Sequence, residues 1–339
     1  HLNTSLYTVV LAIVLLGSWA ASGIALQLLA RYNVFSYPVT RSSHIRPIPQ
    51  GGGIAVVGMV AIGWTAIGVI GIENWPSLAV ILAGTLSLAL VSWFDDVGGL
   101  PISVRLLSQA ITVAIVMFLV PLETVTNGLI PFPLECFLIA MLWIWFINLF
   151  NFMDGIDGIA GVETLCIGFG ITIVSIIADV GIPLIFPTAI VCLSIIGFLP
   201  WNWSPAKLFL GDVGSVPIGF ILGWLLLELA GEGLWVAAVA LPGYYVADTT
   251  ITLCRRAIGG ELVWKSHRKH FYQLAVIGKL THGQASRAVA VTGIWLIGCA
   301  ILSTICHACT LVSLAAAVSG VIGLLWYFHR SSHPIVPSA

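Results

Sequence analysis

An all-α, polytopic membrane fold follows from three observations. Hydrophobic residues fill 59% of the 339 positions and charged residues only 8%, where soluble domains hold roughly 45–50% apolar residues. The mean hydropathy is +1.07. Apolar runs of about 17–25 residues, the length of a helix that crosses about 30 Å of hydrocarbon, recur along the whole chain between short polar breaks. Runs this continuous exclude a β-barrel, whose strands alternate over about 10 residues.

About eleven spans are expected, near 5–30, 53–72, 77–94, 102–120, 133–152, 159–177, 184–200, 214–229, 235–254, 285–304 and 309–328. The first leads straight into a basic loop and shows no small-residue cleavage site, so it reads as a retained helix rather than a signal peptide. Orientation follows from the basic residues. With the N-terminus outside, the cytoplasmic breaks hold Arg31, Arg41, Arg46, Arg105, Lys207, Arg255, Arg256, Lys265, Arg268, Lys269, Lys279, Arg287 and Arg330, which is every Lys and Arg in the chain. The opposite breaks carry Glu73, Glu123, Asp179 and Glu232. An odd number of spans then leaves the C-terminus inside. The chain is expected to be one membrane domain, 1–339, whose cytoplasmic loops near 31–52, 95–101, 153–158, 201–213 and 255–284 form an active site.

Cysteines inside apolar runs behave as small hydrophobes. Cys306 and Cys309, in CHAC on the predicted outer side, either pair or do nothing; no second CxxC completes a zinc site.

Polar clusters carry the chemistry, and all fall on the cytoplasmic side. In SWFDDVGGLPISVRLLSQ, Asp95 and Asp96 end a span, with Arg105 and Gln109 one turn apart at the start of the next. Adjacent carboxylates near hydrocarbon call for a cation or a shared proton, unless they are a solvated helix end. In LFNFMDGIDGIAG, preceded by Asn148, residues Asn148, Asn151, Asp154 and Asp157 are spaced three apart, which on a helix forms one polar face. The plain alternative is a polar packing seam, but intramembrane carboxylates are costly outside functional sites. In NWSPAKLFLGDVGSVPIGF, Lys207 and Asp212 flank an apolar turn and Gly-Asp-x-Gly-Ser opens a span. Such a helix start suits an anion or a metal-phosphate group, although Ser215 as an ordinary cap explains the serine equally well. The longest basic break, CRRAIGGELVWKSHRKHFYQL, holds Arg255, Arg256, Lys265, His267, Arg268, Lys269 and His270. His-Arg-Lys-His is a poor cation site and a good phosphate site. Carboxylates without a Cys or His ligand set suit a hard cation such as Mg2+, which bridges substrate phosphates.

In order along the chain, HIRPIPQGGG (44–53), DD (95–96), NLFNFMDGIDG (148–158), LFLGDVGS (208–215) and HRKHFYQ (267–273) resemble the motifs of the polyprenyl-phosphate N-acetylhexosamine-1-phosphate transferases. The resemblance covers most of the chain. It implies transfer of a sugar-1-phosphate from a UDP-N-acetylhexosamine to a polyprenyl phosphate, usually undecaprenyl phosphate, in the bacterial inner membrane, with release of UMP. By motif, Asp95 and Asp96 match the paired aspartates assigned to lipid-phosphate activation and metal support, and Asp212 the metal-binding aspartate. Asn151 and Asp154 match residues lining the nucleotide-sugar site. Asp157 and Phe209 match the uracil contacts, and His267 and His270 the histidine motif beside the phosphates.

The expected catalytic set is therefore Asp95, Asp96, Asp154, His267, Arg268 and His270. The expected substrate-binding set is His44, Asn151, Asp157, Lys207 and Phe209, and Asp212 with Asp96 is the expected metal pair for Mg2+ or Mn2+. Members that transfer phospho-MurNAc-pentapeptide carry a near-continuous histidine run. Arg268 and Lys269 interrupt it here, which favours the branch that starts O-antigen, enterobacterial common antigen or related glycans, with GlcNAc, FucNAc and QuiNAc all open. Nucleic acid is not an expected partner; the oligomeric state stays open, a homodimer among the options.

The physical mechanism stands beside the resemblance: a lipid phosphate oxygen attacks the β-phosphorus, and a metal with a basic loop neutralises the charge that builds. A secondary transporter is the rival class, and it predicts polar residues at span centres and an internal repeat. The acids cluster instead at cytoplasmic ends, and the two halves share no pattern.

Overall fold

The computed structural model describes residues 2–37, 46–71, 75–120, 125, 128–263 and 267–332. The chain is a bundle of α-helices: α1 (Leu2–Arg31), α2 (Gly53–Ile70), α3 (Trp75–Gly98), α4 (Ile102–Leu119), α5 (Phe132–Met153), α6 (Ile159–Ile177), α7 (Ile182–Asn202), α8 (Asp212–Gly231), α9 (Trp235–Ala240), α10 (Gly243–Ile258), α11 (Phe271–Gly278), α12 (His282–Ile305) and α13 (Thr310–Ser331). A two-stranded antiparallel pair, β1 (Phe35–Ser36) with β2 (Ile48–Pro49), closes the loop after α1.

Among the described residues, ten helices are long and apolar enough to cross a bilayer. They match the predicted spans with one exception. The run expected as a single span at 235–254 is two helices, α9 of 6 residues and α10 of 16, broken at Leu241–Pro242. Proline has no N–H to donate and its ring clashes with the preceding turn, so the helix ends and restarts. Such a break is tolerated in a membrane only where protein covers the freed backbone groups.

The most enclosed helix is α8, packed by α2, α3, α5, α6, α7 and α9. Phe220, Trp224 and Leu225 on it are fully buried, and the Trp143 ring stacks on Phe220 at 4.9 Å between centroids. The outer helices leave Leu16, Phe118 and Leu311 exposed, as lipid-facing side chains should be. Where α2 crosses α8, a Cβ on Gly53 would fall on the backbone of Gly214, so the two helices touch main chain to main chain. Cys306 and Cys309 form a disulfide in the turn between α12 and α13, with Cα atoms 5.3 Å apart. Helix alternation brings Arg31, Arg105, Arg255, Arg256 and Arg330 to the same end of the bundle as the acidic motifs.

Candidate active site

The floor of the site is a backbone splice between two distant segments. The Phe209 N–H donates to Pro49 O at 2.9 Å, and Phe209 O accepts from Gly51 and Gly52 at 3.2 and 2.8 Å. Gly53 N–H donates to Leu210 O at 2.8 Å. Gly51 at φ +115° and Gly211 at φ +75° adopt backbone that L side chains resist. These glycines bring Gln50 and the start of α8 against the end of α3.

There Asp96 meets α8. Its Oδ1 accepts from Gln50 Nε2 at 2.6 Å and from the Asp212 N–H at 3.1 Å, and its Oδ2 accepts from the Val213 N–H at 2.9 Å. A carboxylate over the first amides of a helix satisfies otherwise orphaned donors and opposes the positive end of the dipole. Asp96 thus stands as the cap of α8. Asp96 is also the expected metal partner of Asp212, and its Oδ2, which holds a single amide here, keeps a lone pair that a cation could take.

Asp95 faces the other way. Its Oδ1 accepts from the Leu100 N–H at 2.6 Å and its Oδ2 from Arg105 Nη1 at 2.6 Å. The same nitrogen lies 3.3 Å from Asp212 Oδ2. Asp212 Oδ1 accepts from Asn151 Nδ2 at 2.9 Å, a nitrogen also 2.9 Å from Ser215 Oγ. Asp95, Arg105, Asp212, Asn151 and Ser215 therefore form one continuous chain across α3, α4, α8 and α5.

The polar stripe expected on one helix face is divided. Asn148 donates to Gln109 Oε1 at 2.6 Å and Asn151 turns to Asp212, but α5 ends at Met153. Asp154 and Asp157 lie in the turn beyond it, so the three-residue spacing does not align them with the asparagines. Burial, then the carboxylates of Asp212, Asp96 and Asp157, push the Asp154 carboxyl up to about 7. Among the described residues no three His, Cys, Asp or Glu side chains group as a self-sufficient metal site. A hard cation held by one or two carboxylates and completed by phosphate oxygens fits such a donor set; Asp212, with Asp96 and Asp154 close enough to act on one another's charge, supplies the carboxylates.

Asp157 is 7% exposed and clasped. Its Oδ1 lies 3.1 Å from His282 Nδ1, and its Oδ2 accepts from the Ala206 N–H at 3.2 Å. Burial works to raise its carboxyl, but bonds from His282, Ala206 and Ser204 outweigh it and hold it below the usual carboxylate range.

The basic break is organised by an aspartate that the sequence reading did not single out. Asp248 on α10, fully buried, has Oδ1 3.1 Å from His270 Nδ1 and accepts from the Phe271 N–H and Thr252 Oγ1 at 3.1 Å each. Arg256 grips the same loop, reaching Glu261 Oε2 at 3.0 Å, Val263 O at 3.0 Å and Leu262 O at 2.8 Å, while Lys269 pairs with Glu261. Arg255 lies 4.8 Å over the Phe271 ring. Much of the positive charge is thus engaged in holding the loop. His267 stacks on His270 at 4.8 Å and accepts the Lys269 N–H at 3.2 Å through Nδ1. Burial, with His270, Arg256 and Lys269 nearby, pushes it down to about 4, so it is neutral at ordinary pH.

Tyr272 ties this loop to the acidic turn. Its hydroxyl approaches Phe152 O at 3.5 Å, and the lack of a side chain at Gly155 makes room for it. Lys207 is exposed and Phe209, half-buried, pairs with Gln50; His44 lies outside the described residues. The sequence reading missed Gln50, Asp248, Tyr272 and His282, and gave Arg105 no role. Asp248, a carboxylate inside an apolar run, carried a signal of its own, Gln50 and Tyr272 lay unremarked inside the quoted motifs, and His282 carried none.

Residues 78–230 match the family model described as glycosyl transferase family 4. A Bacillus subtilis protein described as a probable undecaprenyl-phosphate N-acetylglucosaminyl 1-phosphate transferase is 27% identical over 279 residues, spanning 77% of this chain and 73% of its own. A Mycolicibacterium smegmatis decaprenyl-phosphate N-acetylglucosaminephosphotransferase is 26% identical over 321 residues, 82% of this chain and 77% of its own. A Chlamydia felis phospho-N-acetylmuramoyl-pentapeptide-transferase is 32% identical over a shorter 203 residues, 51% of this chain and 57% of its own. The family 4 region spans the segment that holds Asp95, Asp96, Asn151, Asp154 and Asp212, and by these relatives the chain is similar to polyprenyl-phosphate N-acetylhexosamine-1-phosphate transferases.

Proposed function

We propose that this protein transfers an N-acetylhexosamine-1-phosphate, either GlcNAc-1-phosphate or a 6-deoxy relative, from a UDP-sugar to undecaprenyl phosphate and so starts a cell-surface glycan. The reading rests above all on the chain Asp95–Arg105–Asp212–Asn151, set beside Asp154 at the bundle end that gathers the basic residues.

A phosphate oxygen of the lipid forms a bond to the β-phosphorus of the donor, the bond from that phosphorus to the bridging oxygen breaks, and UMP leaves with the electron pair. Asp212, with Asp96 or Asp154 beside it, would hold Mg2+, or Mn2+ in its stead. The bound cation would neutralise charge on the diphosphate. Asn151 orients Asp212. Arg105, pinned by Asp95, keeps a positive charge against Asp212 and prevents the carboxylates from repelling one another apart. His267 and Arg268 lie on the loop that Tyr272 ties to the acidic turn, and neutral imidazole and guanidinium N–H groups suit phosphate oxygens. Fixed donors of this kind stabilise developing charge without reorganising, the usual main contribution to phosphoryl transfer.

The proposed setting is the bacterial inner membrane with the site facing the cytoplasm, and reporters placed at the α8–α9 turn and after α13 should label on opposite sides. The decisive assay incubates purified protein with undecaprenyl phosphate and a panel of UDP-sugars and identifies the lipid product by mass spectrometry. Absence of a sugar-diphosphate lipid with every donor overturns the reading. Undiminished turnover in excess chelator overturns its metal component alone.

A further inference from the structure

His282 enters the site from α12, a helix outside every motif that carries the reaction. Its Nδ1 is 3.1 Å from Asp157 Oδ1. One turn on, Ser286 Oγ donates to the Asp157 backbone O at 2.8 Å. Residues four apart on a helix share a face, so the first two turns of α12 hold Asp157 by side chain and by main chain. That grip is itself anchored. Thr281 accepts the Gln284 N–H at 3.2 Å and donates its own N–H to Gln284 Oε1 at 2.8 Å, a reciprocal cap that fixes where His282 begins. On the far side of the carboxylate, the Ala206 N–H holds Oδ2. The next residue, Gly158, is tied by its N–H to Asn202 Oδ1 at 3.0 Å. Asp157 is thus immobilised from three directions; with His282, Ala206 and Ser204 as donors it still keeps an acceptor site, since a carboxylate offers about four.

A carboxylate so held accepts hydrogen bonds and cannot donate them while ionised. Uracil presents an N3–H donor at its pairing edge; cytosine presents a bare nitrogen there. We propose that His282 is a positioning residue for base selection, holding Asp157 as the acceptor for the uracil N3–H, so that α12 sets the preference for a uridine nucleotide. This rests on the UDP-sugar reading above.

The test measures UDP and CDP binding to the full-length protein in nanodiscs by calorimetry, with steady-state kinetics on the UDP-sugar. His282→Ala should weaken UDP binding and raise KM about tenfold, the size expected for losing support of a charge-assisted bond. It should leave kcat within about twofold and narrow the preference for UDP over CDP. In His282→Asn the amide nitrogen sits the same number of bonds from the backbone as Nδ1, so this variant should recover most of the affinity and the preference. Unchanged binding and preference in His282→Ala overturn the assignment. So does a loss of kcat and thermal stability with KM unmoved, which would make His282 a structural staple. Wild-type protein that binds no UDP overturns the donor reading itself and this assignment with it, an outcome distinct from either.

Discussion

The carboxylate of Asp96 accepts the backbone N–H of Asp212 at 3.1 Å. One aspartate caps the helix on which the other is the first residue. Two acids that look equivalent in a motif are therefore unequal in the fold, and they should fail differently when changed.

Asp212→Asn keeps the size and the contact to Asn151 but offers a hard cation a far weaker ligand. Turnover should fall by about a thousandfold or more, with the melting temperature within a degree or two of wild type. Kinetics and a thermal melt on one preparation check this; activity near wild type would remove Asp212 from the metal site.

Asp96→Ala should show the reverse emphasis. Removing the cap leaves the amides of Asp212 and Val213 and the Gln50 amide without their acceptor, a loss of about 1–2 kcal/mol by the usual cost of a helix cap. The melting temperature should drop clearly, and Asp96→Asn, which keeps an acceptor oxygen, should recover part of it. An Asp96→Ala protein as stable as wild type would rule out the capping role.

Arg105 is shared between Asp95 at 2.6 Å and Asp212 at 3.3 Å. Arg105→Ala should lower kcat/KM by about a hundredfold, in the range found when a fixed charge-stabilising donor is removed. Lys should restore only part, since it supplies a point charge and not a planar fork. Full rescue by Lys would mean that charge alone matters there.

His267 gives a pH prediction of definite sign. Its folded value of about 4 lies below the unfolded value near 6.5, so the unfolded chain takes up a proton first as pH falls. Stability from this group is intact above about 6.5 and is lost progressively as pH drops toward 4. Melting curves of wild type and His267→Gln should converge in relative stability as pH falls through that window, with the difference constant above pH 7. Parallel curves throughout would show that the imidazole titrates normally.

The sequence revealed the bundle because a bilayer imposes helix length so strictly; ten runs became single helices. It misread 235–254 because an apolar run gives no weight to Pro242, a residue whose effect depends on whether neighbours cover the break. It gathered Asp95, Asp212 and Asp154 because carboxylates are rare near hydrocarbon, and Asn151 because it shares a motif with Asp154. It did not reveal Asp96 as a cap, since capping and ligation both call for a carboxylate at a helix end. His282 was hidden for a simpler reason: a single histidine opening a helix has no partner in the sequence, and Asp157 lies 125 residues away.

The bare contact of Gly53 with Gly214 has a bearing on how such a site can be retuned. Where two main chains meet without side chains, no rotamer can absorb a change, so the spacing of Gln50 and Asp212 has little room to adjust. The opposite wall is built of long side chains on α10, α11 and α12, each able to be exchanged and repacked. Selection for a new donor sugar, in a laboratory or in a lineage, should therefore accumulate substitutions on that second wall and leave the glycine side untouched.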